Sequence, residues 1–353
     1  MKERLHWVDI AKGLMIIGMV LNHIPNICNR QGVDLSAFPW IVFGGAYGVF
    51  TMQSFFILSG YTSNFKENTS SFLIKQIKGL LLPYFSFTLI CSFFAYIKWG
   101  DPFFYESFGE RCFFLFDSFW FLTSLFVAKL FAYLFNRLFK NIILEIGGGI
   151  LLLVFGIMIS ELYSEMPEPS HWHNWFHYRN GLCMTIFVTI GALFRKYGLI
   201  EKWGKVMAIS YCAFYISLKA LRHFVRNDVL TYFEAPCFTH YLEPNLSDVN
   251  GFLIIPSFLF YATTGSVLVF IISKFLRKCI ILEFLGKTSL VIYCVHFIIL
   301  RLVADFVSPL FNTGAMLSAG LLFLVIAVLT IFISTGAAFV FNKKPLKYIM
   351  GKF

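Results

Sequence analysis

Apolar residues fall along this chain in long blocks broken by short polar ones. Ten blocks approach the ~20 apolar residues that one helical crossing of a bilayer needs, at about 7–27, 41–61, 80–98, 112–134, 141–159, 181–194, 204–221, 251–273, 288–306 and 315–341. The sixth and seventh are the weakest, being short and bounded by basic residues. The last is long enough to tilt or to extend past the bilayer. The pattern predicts an all-α, polytopic helical membrane protein with about ten transmembrane helices. Residues 1–353 then form a single integral-membrane domain with no separate soluble domain.

Composition agrees. Of 353 residues, 58% are hydrophobic and 14% charged, against roughly 25% charged in soluble domains. This excludes a soluble enzyme and a disordered chain. The net charge of +10 does not signal nucleic acid, because the basic residues sit in small groups between apolar runs, as topology signals do. With the N-terminus inside, nineteen lysines and arginines fall in inner segments and eight on the outer side. That asymmetry predicts cytoplasmic N- and C-termini. The outer loops carry acids instead, among them Glu161, Glu165, Glu234 and Asp248. Trp7, Trp40, Trp99 and Trp203 fall near run ends, as interfacial anchors do. The first run lacks a small-residue cleavage site and reads as a signal anchor. The eight cysteines form no CxxC pair; most read as buried thiols, and Cys28 and Cys237 are left as a pair that the outside could oxidise.

Chemistry concentrates in the first run, WVDIAKGLMIIGMVLNH. Asp9, Lys12, Asn22 and His23 interrupt an apolar helix, and ionisable groups inside a span usually face a bundle interior and have a function. Asp9 and Lys12, three apart, can pair on one face. Lys12 and His23 are eleven apart, about three turns, so they share a face with a rise of roughly 16 Å between them. The plain alternatives are a snorkelling pair for Asp9 and Lys12 and a helix-capping or pore-lining histidine at His23, because Pro25 follows.

DIAKGLMIIGMVLNH resembles the first span of the membrane-bound acyltransferase family 3, the transmembrane O-acyltransferases, in which a basic residue, ten intervening residues and a histidine mark that span. Here the pair is Lys12 and His23. Many members carry arginine at the first position; lysine keeps the charge without the bidentate fork. Asp9 also fits the pattern. SFFILSGYTSNF at 54–65, with Ser59, Gly60 and Tyr61, IKQIKGLLLPY at 74–84, FWFLTSLFVAKL at 119–130 and SLVIYCVHFII at 289–299 resemble later stretches in the same order.

The resemblance implies an acetyl-CoA-dependent O-acyltransferase that moves an acyl group, most often acetyl, from cytoplasmic acyl-CoA to a hydroxyl of a carbohydrate such as a surface polysaccharide or lipopolysaccharide glycan. Acyl-CoA is then a donor substrate, no cofactor is held permanently, and the setting is the cytoplasmic membrane. An alcohol needs a base to become a nucleophile, and neutral histidine suits that role near neutral pH. His23 is therefore expected as the base, with Asp9 and Asn22 beside it in the catalytic group. Lys12, Lys75 and Lys78 are expected on the CoA phosphates. His296, Tyr293, Trp120 and Ser59 are expected along the acceptor path, with His296 either lining it or orienting His23. A secondary transporter or glycan flippase would also need an intramembrane polar path, but the chain shows no internal repeat of the kind such proteins carry.

The segment HWHNWFHYRN at 171–180 stays open. His173 and His177 have the spacing of two helical metal ligands, with Glu161 or Glu165 as a third, but complete no known zinc motif, and no metal site is expected. Its aromatics also suit sugar stacking or a segment lying on the membrane surface. For topology, a cysteine introduced at Ser170 in a background without reactive native thiols should react with an impermeant thiol reagent on whole cells. A cysteine at Lys343 should not, and the opposite pattern would reverse the orientation.

Overall fold

A computed structural model describes residues 5–30, 32, 33, 35, 40–100, 119–164, 177–224, 249–311 and 315–351. These are 89% helical with no strands. The helices are α1 (His6–Arg30), α2 (Trp40–Thr62), α3 (Thr69–Gln76), α4 (Leu82–Trp99), α5 (Trp120–Leu138), α6 (Ile142–Ser164), α7 (Tyr178–Tyr197), α8 (Leu199–Phe224), α9 (Val249–Phe275), α10 (Ile280–Val307) and α11 (Met316–Phe341). Each apolar run lies on one of them as far as it is described, with α3 added as a helical lead-in to the third. Seven stretches among the described residues are long and apolar enough to cross a membrane, on α1, the continuous 69–99 segment, α5, α6, α9, α10 and α11. The protein is an all-α polytopic membrane protein.

The third run starts earlier than its apolar block. Asn68 caps α3 by accepting the Ser70 N–H at 3.3 Å, and a π turn at Ile77–Leu81 joins α3 to α4. Pro83 has no N–H to give the preceding turn, and a wide turn just before it keeps the helix continuous. Similarly α10 begins at Ile280, ahead of the run at 288, because its first turns carry Glu283, Gly286 and Lys287.

The chain divides into two compact units that interleave in sequence. The first comprises 1–48, 78–112 and 276–353, the second 49–77 and 113–275. In the first, α1 packs along α10, and α10 also meets α11 and α4. His6 Nδ1 lies 3.0 Å from Glu283 Oε2, which also holds Lys287 at 3.4 Å. A Cβ placed on Gly13 would collide with the Leu282 carbonyl, and one on Gly286 with the Asp9 carbonyl. Small residues let helix backbones touch where lipid supplies no hydrophobic drive for association.

The second unit is built around α7. Every residue from Asn180 to Thr189 on it is buried, with α5, α6 and α8 packed against it. A helix enclosed by protein need not be apolar all round for lipid. This explains why the sixth run is weak: Thr185 and Thr189 sit mid-helix and donate to the carbonyls of Gly181 and Thr185 at 2.9 and 3.0 Å. α2 crosses α7 with the same device seen in the first unit, Gly60 against the Val188 carbonyl and Gly191 against that of Ile57. Ser54 donates to Ser266 on α9 at 2.8 Å.

Charged side chains gather at one end of this unit. Arg137 at the end of α5 donates to the Glu67 carbonyl at 2.6 Å. Lys196 at the end of α7 meets Glu145 at the start of α6 at 2.9 Å. Lys274 at the end of α9 meets Glu201 at the start of α8 at 2.6 Å.

Gly286→Ala should lower thermal stability of the detergent-solubilised protein, because overpacking costs about 1–3 kcal/mol. Gly336→Ala on α11, where nothing lies within 4 Å of an added Cβ, should be neutral or slightly stabilising, since alanine is the better helix former. Equal melting shifts for the two variants would contradict the close α1–α10 contact.

Candidate functional site

α1 carries the polar residues of the first run on one unbroken helix. It continues through Pro25 to Arg30, so His23 lies within the helix rather than capping its end. Asp9 is buried, and its carbonyl faces Gly286. Lys12, Asn22 and His23 are half-buried. Lys12 and His23 thus lie on one face with a rise of roughly 16 Å between them.

The structure brings His23 together with two residues of the expected acceptor path. The His23 and His296 rings lie 5.3 Å apart between centroids, and Tyr293 stands 5.9 Å from His296. Phe297 contacts both histidines, at 4.8 and 5.1 Å. His296 is fully buried. Its Nδ1 lies 2.6 Å from the Tyr293 carbonyl oxygen, an acceptor, so Nδ1 is the donor. Nearby, the Cys91 thiol donates to the Cys294 carbonyl at 3.6 Å, tying α4 to this part of α10. An imidazole pair in an apolar wall is chemically suited to taking and returning a proton with little competition from water.

Towards the C-terminal ends of α4 and α10, the Arg301 guanidinium lies over the Trp99 ring at 4.0 Å. The Trp99 indole donates to Asp305 at 2.8 Å. The sequence marks Trp99 as an interfacial anchor only; its pairing with α10 has no local signal.

The other expected site residues lie elsewhere. Lys78 is exposed in the π turn of the first unit. Lys75, Ser59 and Trp120 belong to the second. Lys75 is exposed and meets Glu67 at 3.1 Å. The Ser59 carbonyl accepts the Ser63 hydroxyl at 2.7 Å. Trp120 stacks on Phe56 at 6.5 Å. Lys129, a charge within the fourth apolar run that sequence reasoning passed over, donates to the buried Gln76 side chain at 3.1 Å.

Electrostatics at the charged end of the second unit follow its pairs. The hydrogen bond to Glu145 holds the Lys196 amine above its usual value. Burial pushes the Glu201 carboxyl up, but the Lys274 hydrogen bond, a backbone hydrogen bond and the Lys274 charge together outweigh it and hold Glu201 below the usual carboxylate range.

His177 is buried ahead of α7 in the left-handed region, φ 48°, and its carbonyl accepts the Ser124 hydroxyl at 3.2 Å. His171 and His173 lie outside the described residues, as does Cys237; Cys28 is buried. No group of three His, Cys, Asp or Glu among the described residues is placed to hold a metal.

The motif glycines acquire a reason here. Gly13 in the first run and Gly60 in LSGY are positions where another backbone arrives. The local sign was a small residue one turn from a polar one, Asp9 to Gly13, on the face that meets α10.

No curated protein and no solved structure matches the chain. Residues 5–341 match the family model of an acyltransferase domain, acyltransferase family 3. The match spans nearly all of the chain, from ahead of α1 to the end of α11, and the protein belongs to acyltransferase family 3.

Proposed function

We propose that this membrane acyltransferase moves an acetyl group from cytoplasmic acetyl-CoA to a hydroxyl of a carbohydrate, with His23 as the general base. The observation that carries the reading is His23 itself: an imidazole within α1, on the face of Lys12, with its ring against His296 and Phe297. In the step, His23 takes the proton of the sugar hydroxyl as the oxygen attacks the thioester carbonyl carbon. The tetrahedral intermediate collapses, the C–S bond breaks, and His23 returns the proton to the departing CoA thiolate. The products are the ester and CoA. Asn22, the preceding residue on the helix, assists at the hydroxyl, and buried Asp9 supports the charge of Lys12 one turn on. Tyr293, Trp120 and Ser59 serve the acceptor, and His296 lines its path or orients His23.

Lys12, Lys75 and Lys78 take the CoA phosphates. The Lys75–Glu67 pair is exposed, and such pairs contribute about 0–1 kcal/mol. The amine can therefore exchange its partner for a phosphate at little cost. The reading places the protein in the cytoplasmic membrane with both termini inside. The collection of basic side chains at one end of the second unit supports that placement.

General-base catalysis contributes about 100- to 10,000-fold. His23→Ala and His23→Gln should therefore lower acetyl transfer at least 100-fold, while membrane insertion and melting temperature stay close to wild type. Near wild-type transfer by either variant excludes His23 as the base.

Loss of Lys75 and Lys78 together should raise the acetyl-CoA KM by up to about 30-fold, as expected from at most about 1 kcal/mol per contact at 1.36 kcal/mol per tenfold. Lys12→Arg should keep much of the activity, and Lys12→Ala should lose both activity and stability. Unchanged affinity for free CoA in the Lys75/Lys78 double variant, read by calorimetry, would reduce those two lysines to topology signals.

A further inference from the structure

We propose that His296 is a positioning residue: its Nε2 accepts a hydrogen bond from a ring N–H of His23, so that His23 presents its other, bare nitrogen to the acceptor hydroxyl. This rests on the reading of His23 as the base.

Three observations carry it. First, the tautomer of His296 is fixed by its surroundings. The Tyr293 carbonyl can only accept, so Nδ1 carries the hydrogen. In the neutral ring, Nε2 is then a lone-pair acceptor. Second, that nitrogen is buried and has no hydrogen-bond partner in the structure. A buried polar atom left unsatisfied costs about 1–3 kcal/mol, so a donor is called for. Phe297, against the ring, has none to offer. Third, the ring that can supply one is already in place. The His23 and His296 centroids are 5.3 Å apart. An in-line N–H···N contact of about 3.0 Å, plus roughly 1.1 Å from each nitrogen to its ring centre, gives nearly the same separation. At that separation a rotation of the His23 ring, with the centroid spacing unchanged, would bring a ring N–H toward Nε2. Catalytic hydrogen bonds commonly tighten only when substrate is bound.

The consequence is chemical. A neutral histidine acts as a base only through its unprotonated nitrogen, and a partner that takes the N–H decides which nitrogen that is. The same acceptor stabilises the imidazolium that forms when His23 holds the hydroxyl proton. The arrangement follows the general rule that a base is oriented by a third group.

The test compares His296→Leu, which removes the acceptor, with His296→Gln, whose amide oxygen restores one near the Nε2 position. Both are purified in lipid nanodiscs with 15N-labelled histidine, and His23→Ala assigns the His23 resonances. Release of the CoA thiol from acetyl-CoA is measured in membranes of the expressing cells. Wild type should show one His23 tautomer. His296→Leu should show mixed tautomers and a 10- to 100-fold lower kcat, with the acetyl-CoA KM within twofold of wild type. His296→Gln should restore the single tautomer and most of kcat.

A His296→Leu protein with a single His23 tautomer and wild-type kcat would overturn the proposal. So would a His296→Gln protein as impaired as the leucine variant, since packing alone would then explain the loss. A locked His23 tautomer that is lost in His296→Leu, in a wild type that releases no CoA thiol, would uphold the contact and defeat the acyl-transfer reading instead.

Discussion

Within the first unit, the placement of chemistry depends on a contact without side chains. Gly13 and Gly286 let the backbones of α1 and α10 come together so closely that a methyl group at either position would strike a carbonyl. Two helices held at that distance have little freedom to slide or roll, because close-packed interiors leave few voids for side chains to move into. From this fixed point both helices run on from the His6–Glu283 end to the place where His23 meets His296. Ridge-and-groove packing of large side chains holds helix axes 8–10 Å apart, and the two imidazoles could then lose their contact. The glycines thus set the helix spacing on which the His23–His296 contact depends.

The second unit repeats the device with α2 and α7, at Gly60 and Gly191. There it frees α7 from facing lipid and allows a helix rich in hydroxyls to stand at the centre. Charge is handled differently. Arg137 donates to the Glu67 backbone carbonyl, and Lys196 and Lys274 pair with the carboxylates of Glu145 and Glu201 at the helix ends. The partners stand 51 to 73 positions apart along the chain.

Most of the fold could be read from the apolar runs, because a bilayer imposes length and hydropathy on any helix that meets it. What escaped had other causes. The start of α10 was hidden because Glu283, Gly286 and Lys287 break its hydropathy. The lead-in α3 and the π turn before Pro83 depend on capping and backbone accommodation, which hydropathy does not register. The weakness of the run at 181–194 was visible, but its cause was not, since enclosure of α7 by α5, α6 and α8 is a tertiary fact. Of the site, the His23 and Lys12 phase relation follows from helix geometry alone. The meeting of His23 with His296, 273 positions apart along the chain, required the α1–α10 contact. Lys75 and Lys78 looked equivalent three residues apart, yet they fall in different units.

The chemistry proposed for this protein is acyl transfer at His23. An experimental structure with a non-cleavable thioether analogue of acetyl-CoA tests it most directly. Transfer at His23 predicts the carbonyl carbon of the analogue beside the imidazole of His23, with the adenosine phosphates at the end of α1 that carries Lys12. An analogue bound with its carbonyl remote from α1, and with His23 still packed against His296 and Phe297 and facing no ligand, would contradict it.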